Sequence, residues 1–103
     1  MELKKISSQH REEMMEKADL LKALGHPIRL CILENLVLHG EKNVTEIVSC
    51  MDASQSNISQ HLSKLRDMGI VTSEKDGNQV YYFCTNEEVR RLVEYLFGGN
   101  EEK

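Results

Sequence analysis

At Ile70 the hydrophobic period of this chain changes, and that change limits the folds open to it more than any other feature. Before it, apolar residues recur every three or four positions, the spacing of helices. After it, Val71-Thr72-Ser73-Glu74-Lys75 and Val80-Tyr81-Tyr82-Phe83-Cys84 flank Asp76-Gly77-Asn78, a strong signal for a β-hairpin. Helical spacing then returns in Val89, Leu92, Val93, Leu96 and Phe97. A run of helices, one hairpin and a closing helix fill a single domain of 103 residues.

Punctuation divides the helical part. Residues 9–24 carry Met14, Ala18 and Leu21 at helical spacing, with Leu20 and Leu24 alongside. Gly25 ends that helix, and Pro27 suits the first position of the next, where its missing N–H costs nothing. The second helix, residues 27–38, is apolar almost all round and therefore central. His39-Gly40 closes it. Asn43-Val44-Thr45-Glu46 reads as a capping box opening a short third helix through Ile47, Val48 and Met51. Asp52-Ala53 makes a tight turn, Ser54 caps a fourth helix, and Gly69 stops it. Thr85-Asn86-Glu87-Glu88 reads as a second capping box, and the last helix ends at Gly98-Gly99. The predicted fold is mainly α with a β-hairpin wing, four helices, two strands and a fifth helix over residues 1–103, with flexible tails at 1–8 and 99–103.

The fourth helix, SQSNISQHLSKLRDMG, has an unusual outer face. Ile58, Leu62, Leu65 and Met68 fall on one side, while Gln55, Ser56, Ser59, Gln60 and Ser63 fill the other with amides and hydroxyls. The net charge of −4 does not advertise nucleic-acid binding. Residues 54–79, however, hold three basic and three acidic side chains, a neutral stretch on an acidic chain. Two short helices joined by a tight turn, followed by a hairpin, match a winged helix-turn-helix. Gln, Asn and Ser can pair with the donors and acceptors of base edges in the major groove. Hydroxyls, helix N-terminal N–H groups and a few cations suit phosphates. Ser54, Gln55, Ser56 and Asn57 crowd that N-terminus, and Lys64 lies further along the same side.

Other classes find little support. The longest apolar runs are too short for a membrane span, and the polar N-terminus is no secretion signal. Three widely spaced cysteines, Cys31, Cys50 and Cys84, suit a reducing, cytoplasmic setting better than a disulfide framework, and no zinc-finger spacing occurs. No Gly-rich phosphate loop or C-x-x-C motif points to an enzyme.

Three segments carry a resemblance. ALGHPIRLCIL (Ala23 to Leu33), SQSNISQHLSKLRDMGIV and GNQVYYF (Gly77 to Phe83) resemble, in order, the second helix, recognition helix and wing of the ArsR/SmtB family of bacterial repressors. The likeness runs from about residue 10 to residue 97. It implies a homodimer that binds an inverted-repeat operator in double-stranded DNA and is released by an inducer. By position, Ser54, Gln55, Ser56, Ser59, Gln60 and Ser63 look like the DNA-contacting set, with Asn57 and Lys64 beside them. Lys75, Asn78 and Gln79 take the wing, Asn78 standing where the family often has Arg. A winged-helix protein-interaction module without DNA binding is the alternative.

The resemblance leaves the inducer open. Asn43 and Thr45 occupy the positions of the family's Cys-x-Cys metal site, and the last helix has neither His nor Asp for a zinc site. No metal ligands and no required cofactor are assigned. The candidate thiol switch draws on Cys31, Cys50 and Cys84, answering to a thiophilic metal such as arsenite or to a sulfide or redox signal. Cys50 is expected to be the most exposed, and Cys31 with Cys50 is the first pair to consider. Met14, Ala18 and Leu21, with Val89, Leu92, Val93, Leu96 and Phe97, are expected to form the dimer interface. His61 and Arg29 are expected to serve packing rather than contact DNA.

Overall fold

Pro27 does open a helix, α2 (Pro27–His39), in the computed structural model, which describes residues 7–47 and 50–98. Nδ1 of His26 caps it by accepting the Ile28 N–H at 3.2 Å. Ile32, Leu33, Leu36 and Val37 are buried, and Ile28, Leu30, Cys31 and Leu38 pack against the same core. Around α2 lie α1 (Ser8–Leu24), α4 (Gln55–Asp67), the strand β3 (Gln79–Cys84) and α5 (Glu87–Phe97). A helix apolar on most sides needs cover on most sides, and it has it.

Each covering element brings one apolar stripe. From α4 come Ile58, Leu62 and Leu65, all fully buried, and from α5 Val89 and Val93. Met68, expected to continue the α4 stripe, follows the helix end and is exposed. The hairpin pairs β2 (Val71–Asp76) with β3 from Val71↔Cys84 to Asp76↔Gln79. Its two-residue loop is Gly77-Asn78, with Gly77 at φ +67°, where a side chain would be strained.

A third strand was not foreseen. The two residues of β1, Lys42–Asn43, pair with Tyr82 and Tyr81 of β3, giving the order β1-β3-β2. Two residues carry no periodicity, so nothing in the sequence announces them. Asn43 and Glu46 do form the capping box, each side chain accepting the other's backbone N–H at 2.9 Å. The helix it opens, α3, spans Val44–Ile47, while Cys50–Asp52 is a 3-10 turn rather than a continuation of α-helix. Val48, Gly99, the Met51 side chain and the tails at 1–6 and 99–103 lie outside the described residues. Ser7 and Ser8, expected in the first tail, are the cap and first residue of α1.

The second capping box is corrected. Asn86, not Thr85, caps α5, its Oδ1 accepting the Val89 N–H at 3.0 Å. Glu88 instead meets Lys17 Nζ of α1 at 2.6 Å. That pair is half exposed on both sides and contributes little. Otherwise α1 is loosely held: only Ala23 and Leu24 are buried, with Leu20 partly so. If Asn86 is the cap, Asn86→Ala lowers the unfolding free energy in urea by about 1 kcal/mol and Thr85→Ala changes it little. The reverse order would restore Thr85 as the cap.

Candidate nucleic-acid interface

The recognition segment starts at a sharp corner. Ala53 N–H donates to the Cys50 carbonyl at 2.9 Å, and Asp52 takes φ +57°, a left-handed conformation that Asp tolerates better than most residues. Ser54 then turns the chain into α4, its Oγ accepting the Asn57 N–H at 3.1 Å. The first turn of α4 carries no acidic side chain, so its positive dipole end stays open to an anion.

Every residue assigned to DNA on this helix, Ser54, Gln55, Ser56, Asn57, Ser59, Gln60, Ser63 and Lys64, is exposed. The buried stripe of Ile58, Leu62 and Leu65 holds the helix against α2 and leaves the amides and hydroxyls on the surface. On the wing Lys75, Asn78 and Gln79 are exposed as well. A bond missed from sequence joins the two parts: Asn43 Nδ2 donates to Gln79 Oε1 at 3.1 Å, across 36 residues. With the β1–β3 pairing, it fixes the wing beside the start of α3. Half of the Gln79 amide is thereby engaged, leaving its NH2 for another partner.

Behind the reading face sits a small polar cluster. Arg29 Nε donates to the Ala23 carbonyl at the end of α1 at 2.7 Å, and its Nη1 lies 3.4 Å from His61 Nδ1. A guanidinium can only donate, so Nδ1 accepts and His61 is neutral with its proton on Nε2. The His26 and His61 rings lie 4.4 Å apart. Desolvation, and then the neighbouring His26, Arg29 and Lys64, hold the His61 pKa below the usual 6.5. Both residues serve packing, as expected, and Arg29 finds a carbonyl rather than a carboxylate.

The cysteines depart from expectation at two points, the burial of Cys50 and the presence of a disulfide in a chain whose cysteine spacing spoke against a disulfide framework. Cys50, expected to be the most exposed, is 4% exposed and joined to Cys31 in a disulfide with Cα atoms 6.0 Å apart. Asn35 Nδ2, one turn along α2, donates to the Cys31 carbonyl at 3.0 Å and lies 3.3 Å from Cys50 Sγ. Cys84 is free and buried, and burial raises its thiol pKa. Among the described residues no three His, Cys, Asp or Glu side chains cluster as a metal site. No described helix is long and apolar enough to cross a membrane.

The apolar surface is also redistributed. Val89 and Val93 are fully buried in the protomer's own core, and Leu92 and Phe97 are partly buried against it, so the first two cannot serve an interface. Met14, Leu21 and Leu96 are half or more exposed, and Ala18 is exposed. Met15 and Tyr95, overlooked because each breaks its helix's apolar phase, are exposed too.

A helix, a tight turn, a second helix with a free polar face and an adjoining hairpin define a winged helix-turn-helix, the class that sets its second helix in the major groove of DNA. Residues 26–73 match the family described as "Bacterial regulatory protein, arsR family". The transcriptional repressor PagR of Bacillus anthracis is 36% identical over 90 residues, 84% of this chain and 90% of PagR. The chain belongs to the ArsR family. Among solved structures, reduced HlyU from Vibrio cholerae matches with a TM-score of 0.80 and 34% identity, over 87% of this chain and 94% of HlyU. The Mycobacterium bovis domain Mb0332, described as a homodimeric winged helix-turn-helix, matches at 0.76 with 27% identity, over 97% and 92% of the two chains.

The depressed pKa of His61 makes a test of its packing role. Its contribution to stability is complete above pH about 6.5 and falls away as pH drops through the lower folded-state value, because the unfolded chain protonates first. The urea midpoint of the wild type therefore falls from pH 7 toward pH 5 more steeply than that of His61→Gln. Parallel profiles would contradict the assignment.

Proposed function

We propose that this chain is a cytoplasmic, homodimeric transcriptional repressor that reads an inverted-repeat operator with α4 and is released by an inducer acting at cysteine thiols. It needs no resident cofactor. The observation that carries the reading is the exposed face of Ser54, Gln55, Ser56, Asn57, Ser59, Gln60 and Ser63, uncharged and joined by the single cation Lys64, on the second helix of the motif. Such a face has little to offer solvent that Lys and Glu would not offer better, and much to offer base edges. Ser54, Ser56 and Lys64 serve phosphates; Gln55, Asn57, Ser59, Gln60 and Ser63 face bases or the adjoining backbone. Lys75, Asn78 and the free NH2 of Gln79 supply a wing contact.

The exposed Met14, Met15, Ala18 and Leu21 of α1 and Tyr95 and Leu96 of α5 support the dimer. Leu21 is 58% and Leu96 51% exposed, an apolar surface that two-fold pairing would cover. Pairing through these helices would set two α4 copies about 34 Å apart, one DNA turn.

Fluorescence anisotropy on duplex from upstream of the protein's own gene, at several salt concentrations, tests the reading. Affinity should fall steeply with salt as phosphate contacts release counterions. Gln60→Ala should cost about 1–3 kcal/mol on the operator and relax preference at one base pair. Lys64→Ala should weaken binding to all duplexes and lower the salt slope by about one per protomer. Binding no better than to random DNA would sink the self-regulating repressor in favour of a protein-binding winged helix. Leu21→Asp and Leu96→Asp should each give a folded monomer by sedimentation and lose operator affinity; a dimer in both would move the interface elsewhere.

A further inference from the structure

We propose that Cys31 and Cys50 are a reversible oxidation site through which a peroxide alters the seating of the recognition helix. The inference rests on the repressor reading above and names the thiols and the reaction by which that repressor is released.

The pair joins two parts of unlike rigidity. Cys31 lies within α2, held by the core on most sides. Cys50 opens the 3-10 turn Cys50–Asp52, its carbonyl accepts the Ala53 N–H, and Ser54, the cap of α4, follows four residues later. In the linked state the Cα atoms are 6.0 Å apart, an ordinary separation for a disulfide. A bond here fastens the entry of the DNA-reading helix to the centre of the protein.

Reduction removes that fastening and leaves the 3-10 turn Cys50–Asp52, the corner on which α4 is hung, held to α2 by noncovalent contacts alone. The reduced form is the operator-binding one, and oxidation releases DNA.

The chemistry balances with a peroxide as oxidant. Cys31, the more accessible of the two, attacks the O–O bond; a sulfenic acid forms, and the departing oxygen leaves as an alcohol or water carrying the thiol proton. Cys50 Sγ then attacks Cys31 Sγ, the S–S bond forms, the S–O bond breaks, and the hydroxyl leaves as water with the second thiol proton. The Asn35 amide, 3.3 Å from Cys50 Sγ, favours negative charge on the attacking sulfur. Two thiols lose two protons and two electrons, and the peroxide takes up both as it is reduced to an alcohol or water and a further water. A dithiol reductant reverses the reaction by exchange.

The test compares reduced and hydrogen peroxide-treated protein on duplexes enriched from a random-sequence pool, with one selection made for each redox state. Peptide mapping should show Cys31 linked to Cys50 after peroxide, and operator affinity should fall about tenfold or more, within the range of known couplings, and return with dithiothreitol. Cys31→Ser and Cys50→Ser, each checked for fold by circular dichroism, should bind like the reduced protein and ignore peroxide, while Cys84→Ser responds like wild type. Failure of the link to form, or equal affinity in both states, overturns the proposal. If neither state prefers any duplex, the repressor reading fails, and amide exchange over Cys50–Asn57 decides this one. A redox-dependent difference there would sustain the switch in the turn; identical exchange would end it.

Discussion

The helix from Pro27 to His39 must hide apolar side chains around most of its circumference, and the other elements are arranged by that need. Ile32, Leu33 and Leu36 are almost wholly removed from water, and truncating any one would cost about 2–5 kcal/mol. Covering them takes α4 on one side, α5 on another and the hairpin at the end of β3. Each covering element spends its apolar stripe inward and so must present its other face to the outside. What those outer faces carry then decides what the protein does. On α4 it is amides and hydroxyls; on α1 and the end of α5 it is apolar surface without cover in the protomer.

One guanidinium ties these outcomes together. Arg29, near the start of α2, reaches the carbonyl at the end of α1 and the imidazole on the inner side of α4. The helix proposed for dimerisation and the helix proposed to meet DNA thus share an anchor. A cation partly withdrawn from water is costly unless its donors are engaged, so the anchor resists loosening from either side. Burial keeps His61 neutral and able to accept that bond. Ahead of the start of α4, the Cys31–Cys50 link provides a second attachment to α2, one that chemistry can open.

Much of this was legible in the residues. The change of period at Ile70, Pro27 after Gly25, the Asn43–Glu46 box and the Ser54 cap each encode a local event, and each appears where the sequence puts it. The outer face of α4 could be read because thirteen residues of helix give a clear phase. The Thr85 cap and the start of α1 were missed locally, by a residue or two; the other failures depend on contacts between segments. The strand at Lys42–Asn43 exists only because β3 is beside it, and the Asn43–Gln79 bond spans two elements. Cys50 reads as exposed when judged by its place at a helix end, yet it is buried because α2 lies over it. Val89 and Val93 share a stripe with Leu96, but the stripe is divided between the protomer's own core and its surface.

The central claim is that the face from Ser54 to Lys64 lies in the major groove. Dimethyl sulfate probing of a selected duplex tests it directly, since guanine N7 faces the major groove and adenine N3 the minor. The account predicts N7 protection in two patches about one helical turn apart, centre to centre. Protection at adenine N3 alone, or none while the protein is bound, would contradict it.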